Sequence, residues 1–284
     1  MSLKKVTLVG ASGNVGVGVL PQLLKSDLDV TILSRQGSSA TFPDGAKVIK
    51  SDYSAESLEK VLKGQDAVVS MLPIMALEEQ TKIAEAAIKA GVKRFIPSDY
   101  GSDTTPKKAH LEWLATKEAQ ISWTTINTGI FFDWGLKQGM TGFDLANKTV
   151  TLVDGGKTRF TASNMAQVGR AIVSVLHHPV ETKNQMVFVE SFTTTQAEIL
   201  AVLEKLTGQT WKVNEVGSQA IREDGFAKFS KGDYVGGGSA VIMALVLGEG
   251  GLEDHTNVKG GIWNQRLGLE SESVEETVRE VLGL

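Results

Sequence analysis

Short apolar runs alternate with amphipathic segments along the first half of the chain. Uninterrupted runs rich in Val, Ile and Leu are typical of strands that are buried on both faces. They occupy residues 5–9, 29–35, 46–52, 65–72, 92–98 and 121–128. Residues 54–64 and 77–91 lie between such runs, place apolar side chains at helical spacing and end in glycine. This alternation predicts an α/β fold with a doubly wound parallel sheet and helices on both faces.

The helix expected after the first strand contains Gly18 and Pro21. A proline in the second turn removes a backbone hydrogen bond. We therefore expect this helix to be kinked or to begin late, although the apolar positions of residues 19–27 support its presence.

The pattern changes after residue 129, where aromatic residues and glycines become frequent. Strands are predicted at residues 148–157, 185–191 and 210–216, and helices at residues 163–179, 195–208 and 273–284. The glycine-rich residues 226–261 are expected to form a helix flanked by loops. We therefore predict a doubly wound, Rossmann-type domain over residues 1–128. Residues 129–284 are predicted to form mainly a smaller C-terminal α/β domain, from which some segments return to the first sheet.

The composition limits the kinds of partner. With 284 residues, 42% of them hydrophobic, the chain is long enough for one large domain or two modest ones. A net charge of −4 gives a nucleic-acid partner no electrostatic support, and the absence of cysteine excludes disulfides and thiolate chemistry. The apolar runs are too short to cross a bilayer, so a soluble, cytoplasmic protein is expected.

A glycine-rich loop follows the first predicted strand and carries Gly10, Gly13 and Gly16. In such a loop one glycine permits the sharp turn, one lets the backbone approach a pyrophosphate, and one lets helix and strand pack closely. The free N–H groups at the N-terminus of the following helix favour phosphate. The loop therefore predicts a dinucleotide site, and a turn that merely needs small residues is the alternative.

The residue that ends the second predicted strand indicates which dinucleotide is bound. NAD sites usually carry an acidic residue there, which binds the ribose 2′-hydroxyl. Here the position is Arg35, followed by Ser38 and Ser39, and a guanidinium with neighbouring hydroxyls suits a 2′-phosphate. We therefore predict NADP(H) rather than NAD(H), with Asp52 and Tyr53 near the adenine. A solvated surface arginine is the alternative interpretation.

The glycine spacing resembles that of extended and atypical short-chain dehydrogenases/reductases. The usual Tyr-x-x-x-Lys pair of the short-chain enzymes is absent, because none of Tyr53, Tyr100 and Tyr234 has a lysine four residues later. Residues 70–103, which contain RFIPSDYG, and residues 122–136 instead resemble the NmrA-like and isoflavone reductase-like family, in its fungal branch. The resemblance covers most of the chain.

The resemblance implies roles for individual residues. Cofactor contacts are expected from Gly10, Ser12, Gly13, Asn14, Val15 and Gly16 at the pyrophosphate, Arg35 and Ser38 at the 2′-phosphate, and Asp52 and Tyr53 near the adenine. Leu72 and Pro73 are expected to flank the cofactor, Gln80 to face it, and Pro97 and Ser98 to border its nicotinamide side. Substrate contacts are expected from Tyr100, Phe131, Phe132 and Trp134. Ordinary packing in the core is the alternative for these aromatic residues.

Reductases of this family carry a lysine at the start of the helix after the PS-(D/E)-(F/Y)-G segment, where an ammonium can donate a proton or stabilise developing negative charge. Lys107 and Lys108 are the candidates. Two alternatives stay open: the lysine is displaced or lost, because the segment before SWT looks shorter than in the family, or both lysines are solvated residues after a helix-starting Pro106. His110 is a weaker candidate for the acid, and no metal site is expected.

The resemblance implies an NADPH-dependent reductase of a small aromatic or alkaloid-like metabolite, with residues 129–284 mainly binding the substrate. Hydride would pass from the nicotinamide to an activated C=C, C=N, C=O or benzylic carbon. Two alternatives remain: an NADP(H)-sensing regulator that acts through a protein partner, and a non-redox enzyme that retains the nucleotide.

Overall fold

The computed structural model describes residues 3–101 and 105–284; for Ile74, residues 105–107 and Val235 it describes the backbone alone. The chain divides into two compact units, each built from separate stretches of sequence. The first unit comprises Met1–Asn127, Met165–Phe188 and Gln265–Leu269, and the second comprises Thr128–Asn164, Val189–Asn264 and Glu270–Leu284.

The first unit is organised around a parallel sheet, which has seven strands among the described residues. The strands are Lys5–Val9 (β1), Asp29–Arg35 (β2), Lys47–Ser51 (β3), Ala67–Ser70 (β4), Arg94–Ile96 (β5), Ser122–Asn127 (β6) and Gln185–Phe188 (β11). Their order is β11-β6-β5-β4-β1-β2-β3, and every pairing is parallel. The order therefore reverses at β1, which is the arrangement of a doubly wound sheet. The predicted fold class is confirmed.

Helices connect and cover these strands. They are Asn14–Lys25 (α1), Ala55–Leu62 (α2), Leu77–Lys89 (α3), Thr105–Ala115 (α4) and Met165–His177 (α6). Helix α2 packs on α3, and α3 packs on α4. Leu58, Ile83 and Leu114, one from each of these three helices, are fully buried in one core that also contains Val9 and Phe95.

The helix that follows the glycine loop begins directly at Asn14 and continues through Pro21 to Lys25. The expectation that Pro21 would delay its start is therefore wrong. Gly18 has a packing role, because a Cβ at this position would lie 2.5 Å from the Cβ of Met165 on α6. Close packing of α1 on α6 thus accounts for a glycine in the middle of a helix, where it is otherwise unfavourable.

The second unit contains two sheets of three strands each among the described residues. Its strands are Ile130–Phe131 (β7), Phe143–Asp144 (β8), Thr149–Val153 (β9), Phe160–Ser163 (β10), Phe192–Thr194 (β12) and Lys212–Val216 (β13), and its helices are Phe132–Lys137 (α5), Gln196–Thr207 (α7), Ser218–Ser230 (α8), Tyr234–Leu247 (α9) and Val274–Leu282 (α10). The sheet orders are β12-β10-β7 and β13-β9-β8. Phe132, Phe160 and Ile199 are fully buried in the core of this unit.

The glycine-rich residues 226–261 contain the expected helix, α9, followed by a segment that is mostly irregular, but they begin with the end of a second helix, α8, where a loop was expected. Gly225 on α8 and Gly237 on α9 let the two backbones meet: a Cβ on Gly237 would lie 2.7 Å from the carbonyl oxygen of Gly225. None of the helices formed by described residues combines the length and the apolar character that a bilayer span requires.

Candidate functional site

A close approach between two strand ends marks the point where the strand order reverses. Gly10 follows β1 and has a φ of +83°, and a Cβ on it would lie 2.6 Å from the carbonyl oxygen of Met71, which follows β4. Only glycine fits this combination of left-handed backbone and contact. In doubly wound sheets, ligands bind in the crevice outside the carboxyl ends of the strands at such a reversal.

The other two glycines of the loop join the strand to α1. A Cβ on Gly16 would lie 2.5 Å from the Cα of Ala11, so this glycine lets the helix pack against the loop. Gly13 is the N-cap of α1, and its N–H donates to the Gly10 carbonyl at 2.9 Å. The first-turn N–H groups of a helix have no intrahelical acceptor, and Ser12 and Asn14 are exposed beside them. The loop is thus a cradle whose donors suit a pyrophosphate.

The end of β2 carries the cation that the sequence singles out. Arg35 is exposed, and its Cζ lies 5.7 Å from the centre of the Tyr53 ring. Tyr53 has a φ of +63°, which turns the chain after β3, and burial raises the pKa of its hydroxyl. Arg35, Asp52 and Tyr53 line an open cavity of about 690 Å³, together with Lys82 of α3.

The loop that follows Arg35 is fixed by a lysine of β3. The Nζ of Lys50 donates to the Ser34 Oγ at 3.1 Å and to the Ser38 carbonyl at 2.8 Å. The Ser38 N–H in turn donates to the Arg35 carbonyl at 3.0 Å. The backbone of Ser38 is therefore held beside Arg35.

On the other side of β1, the segments after β4 and β5 are tied to each other and to α3. Ser98 Oγ donates to the Leu72 carbonyl at 2.7 Å, and the Ser98 N–H donates to Gln80 Oε1 at 2.8 Å. Gln80 is buried, whereas Pro73 is exposed. The structure thus brings together Leu72, Gln80, Pro97 and Ser98 at the carboxyl ends of adjacent strands.

Two of the four aromatic residues expected at a substrate are packing residues. Tyr100 is 3% exposed, and its hydroxyl donates to the Ser70 carbonyl at 3.1 Å; burial strongly raises the pKa of this hydroxyl. Phe132 is fully buried, with its ring perpendicular to that of Phe192. Both residues therefore have packing contacts in this structure, and their contact with a substrate stays a prediction. Phe131 and Trp134 are half-buried and stay candidates.

The two candidate catalytic lysines lie in the first turns of α4. Lys108 is exposed. The side chain of Lys107 and residues 102–104 lie outside what the structure describes. Position 107 lies one helical turn before His110. The choice between the two lysines stays a prediction.

Comparison with known proteins identifies the family. Residues 2–228 match the model of the NmrA-like family. The chain belongs to the NmrA-like family. Oxidoreductase poxI from Penicillium oxalicum is 35% identical, over 99% of this chain and 94% of its own length. Oxidoreductase aprR from Aspergillus flavus is 32% identical, over 98% of each chain. The predicted family is confirmed.

Solved structures share the fold of this NmrA-like chain over nearly its full length. The binary complex of leucoanthocyanidin reductase and NADPH from Vitis vinifera superposes with a TM-score of 0.82 at 20% identity, covering 98% of this chain and 99% of that one. An isoflavone reductase superposes with a TM-score of 0.80 at 18% identity, covering 99% of each chain. These likenesses establish the architecture in which the crevice lies.

His110 has more features of a functional residue than the sequence indicated. Its ring is buried, stacks on Trp113 with centroids 5.6 Å apart, and meets the ring of Phe95 edge-on. Burial lowers its pKa to about 4, so the ring is neutral at physiological pH. The sequence signal was weak, because a histidine between apolar helix positions more often packs than reacts.

Proposed function

We propose that this NmrA-like protein is an NADPH-dependent oxidoreductase that reduces a small aromatic or alkaloid-like metabolite. The observation that carries the proposal is the pairing of the Gly10 cradle at the start of α1 with Arg35 at the end of β2. The cradle suits a pyrophosphate, and a guanidinium at this strand end suits a 2′-phosphate. Relatives named oxidoreductases, from Penicillium oxalicum and Aspergillus flavus, support an enzymatic role.

Each part of the cofactor has candidate partners in the first unit. The pyrophosphate would be held by Gly10, Ser12, Gly13, Asn14, Val15 and Gly16, the 2′-phosphate by Arg35 and Ser38, the adenine by Asp52 and Tyr53, and the nicotinamide by Leu72, Pro73, Gln80, Pro97 and Ser98. The reduced nicotinamide, when bound, supplies a hydride. The first unit would therefore bind the nucleotide.

The protein itself must supply a proton donor and a surface for the substrate. We assign the donor to Lys108 or Lys107 at the start of α4, because an ammonium can donate a proton or balance the negative charge that develops on the substrate. We assign the substrate surface to the half-buried Phe131 and Trp134 of the second unit. Aromatic side chains suit a planar metabolite.

Cofactor preference is the sharpest test of the proposal. Calorimetry should show that NADPH binds more tightly than NADH. Arg35→Ala should reduce the ratio of the two dissociation constants at least about tenfold, which corresponds to about 1.4 kcal/mol. Arg279→Ala, a half-exposed arginine on α10, is the matched control and should leave the preference unchanged. Equal binding of NADH and NADPH by the wild-type protein would contradict the proposed role of Arg35.

Turnover distinguishes an enzyme from a sensor. The protein is mixed with NADPH and a panel of aromatic and alkaloid-like carbonyl, imine and alkene compounds, and the absorbance of the reduced nicotinamide is followed. We expect consumption with a subset of the panel, at a rate that falls at least roughly hundredfold in Lys108→Ala or in Lys107→Ala. Tight binding of NADPH without consumption, together with capture of a protein partner, would favour the NADP(H)-sensing regulator instead.

A further inference from the structure

The hydrogen bonds of Thr81 indicate which ring nitrogen of His110 carries the proton. Thr81 Oγ1 donates its only proton to the Leu77 carbonyl at 3.2 Å. The His110 Nδ1 lies 3.2 Å from the same Oγ1. Since that oxygen has no second proton to give, it accepts from an Nδ1–H group. The ring is neutral, because burial lowers its pKa to about 4, and Nε2 therefore carries a lone pair.

That lone pair has no partner among the residues that the structure describes. Nε2 of His110 is buried and makes no hydrogen bond there. A buried acceptor without a donor costs free energy, and native proteins keep such groups for a reason. The crevice that His110 lines is narrow, with essentially no free volume in this structure.

The crevice lies where the nicotinamide end of the cofactor is expected. His110 lines it together with Gln80, Pro97 and Ser98, at the carboxyl end of β5. Arg35 lies at the end of β2, and the strand order runs β5-β4-β1-β2. A dinucleotide with its 2′-phosphate at Arg35 and its pyrophosphate at the cradle after β1 places its nicotinamide beyond β4.

We propose that Nε2 of His110 accepts a hydrogen bond from the carboxamide N–H of the nicotinamide and so sets the orientation of that ring. The proposal rests on the proposed NADP(H) binding. The carboxamide is the one group of the nicotinamide that donates hydrogen bonds, and an acceptor lone pair recognises a donor. Because the crevice is narrow, its walls must part to admit the carboxamide, a rotamer adjustment of the kind that is common on binding. His110 is thus a cofactor-positioning residue.

An analogue without the donor tests the proposal directly. In 3-acetylpyridine adenine dinucleotide phosphate a methyl ketone replaces the carboxamide, so the N–H groups are lost. Wild-type protein should bind NADP⁺ roughly threefold to tenfold more tightly than the analogue. His110→Leu should reduce this ratio to about one, whereas His110→Gln, whose amide oxygen can accept in place of Nε2, should restore part of it. His177→Gln, on the surface at the end of α6, is the matched control.

A spectroscopic measurement excludes a purely structural role. In ¹⁵N NMR spectra of the histidine side chains, the Nε2 signal that disappears in His110→Gln should have the position of an unprotonated nitrogen. It should shift when NADP⁺ is added and stay in place with the acetylpyridine analogue. Thr81→Val, which removes the partner of Nδ1, should weaken NADP⁺ binding by allowing the other tautomer.

The binding measurements distinguish a failure of the proposed His110 contact from a failure of the proposed NADP(H) binding. Binding of 2′,5′-ADP, which lacks the nicotinamide, reports the nucleotide site alone. If 2′,5′-ADP and NADP⁺ both bind but the Nε2 signal does not move, the role of His110 is overturned while NADP(H) binding stands. An equal shift with NADP⁺ and the analogue would also overturn it, since the donor would then lie elsewhere. If 2′,5′-ADP does not bind, both proposals fail.

Discussion

Gly10 and Met71 lie so close together that a Cβ on the glycine would stand 2.6 Å from the methionine carbonyl oxygen. The contact joins the ends of β1 and β4, which are neighbours in the sheet. The left-handed backbone of Gly10, with φ at +83°, turns the chain away from the sheet immediately after the strand. One residue therefore both shapes the crevice and keeps two strand ends in contact.

Gly10→Ala should damage the fold and the site together. The added methyl group meets backbone rather than a flexible side chain, and the φ of +83° is unfavourable for alanine. We expect a loss of stability well above the roughly 1–2 kcal/mol of a left-handed alanine alone, and a loss of NADPH binding. Thermal unfolding and a fluorescence titration with NADPH measure the two effects.

Gly45→Ala is the matched control for backbone strain. Gly45 has a φ of +81°, but a Cβ there would meet nothing within 4 Å. This variant should lose only the stability that a left-handed alanine costs, because its methyl group meets no neighbouring atom, and it should bind NADPH normally. If both variants unfold at the same temperature, the contact with Met71 has no energetic importance.

Arg94, at the start of β5, is a buried cation whose hydrogen-bond partners are hydroxyl groups and a backbone carbonyl. It is 2% exposed and donates to the hydroxyls of Ser122, Thr124 and Thr182 at 2.8, 2.7 and 3.0 Å, and to the Pro179 carbonyl at 2.6 Å. Burial lowers its pKa to about 10, so it stays charged at neutral pH. It joins β5, β6 and the segment before β11.

Arg94→Leu should destabilise the first unit by about 3 kcal/mol or more, because it leaves several buried polar groups without their donor. Arg94→Lys keeps the charge but not the forked set of donors, and should lose stability as well. Lys93→Met is the control, since Lys93 makes a partly exposed ion pair with Asp66 that should contribute at most about 1 kcal/mol. Denaturant unfolding would contradict the assignment if both Arg94 variants matched this control.

The sequence predicted the strands of the first unit to within a few residues, because a buried parallel strand appears in the sequence as a continuous run of β-branched residues. The run at 65–72 was longer than the observed Ala67–Ser70, since pairing ends where Met71 meets Gly10. Helix α9 was harder to predict. Its glycines look like helix breakers in sequence, and the contact with the Gly225 backbone explains one of them, Gly237.

The residues of the candidate site likewise differ in how well the sequence predicts them. The glycine loop and Arg35 could be found because each lies at a fixed place relative to one strand. Lys50 and His110 depend on partners far away in sequence, such as the Ser38 carbonyl and Thr81. The packing role of Tyr100 likewise depends on the Ser70 carbonyl, and sequence spacing alone carries no signal of that contact.

Asp154 holds two helix ends of the second unit and predicts an acid-sensitive region. Its Oδ1 accepts from the Ser218 N–H at 2.9 Å, at the start of α8, and its Oδ2 accepts from the Glu249 N–H at 2.8 Å, after α9. Hydrogen bonds from Ser218 and Glu249 lower the pKa of this carboxyl below its usual 3.8. Their stabilising effect is therefore present above pH 3.8 and is lost as the pH falls through the lowered value.

Asp154→Asn should loosen α8 and α9 without disturbing the backbone turn. Asparagine tolerates the positive φ of +48° at this position, but it has one acceptor oxygen where the carboxylate has two. Amide hydrogen exchange should accelerate at Ser218 or Glu249 and stay unchanged in the first unit. Unchanged exchange at both amides would show that the carboxylate does not hold these helix ends.

His110 predicts a second pH dependence, at milder acidity. In the unfolded chain its pKa is near 6.5, whereas burial lowers it to about 4 in the folded protein. Between these values the unfolded state binds the proton and the folded state does not, so stability falls as the pH drops from 6.5 toward 4. The loss attributable to this group is on the order of 3 kcal/mol.

His110→Leu should reduce this acid dependence and preserve or raise stability at neutral pH, because it replaces a buried acceptor without a donor by an apolar group. Part of the dependence should remain, since burial also lowers the pKa of His255. Denaturant unfolding from pH 7 to pH 4 measures the slope, with His177→Gln as the exposed control. A parallel profile for wild type and His110→Leu would mean that His110 takes up its proton equally well in both states, which contradicts its burial as a neutral ring.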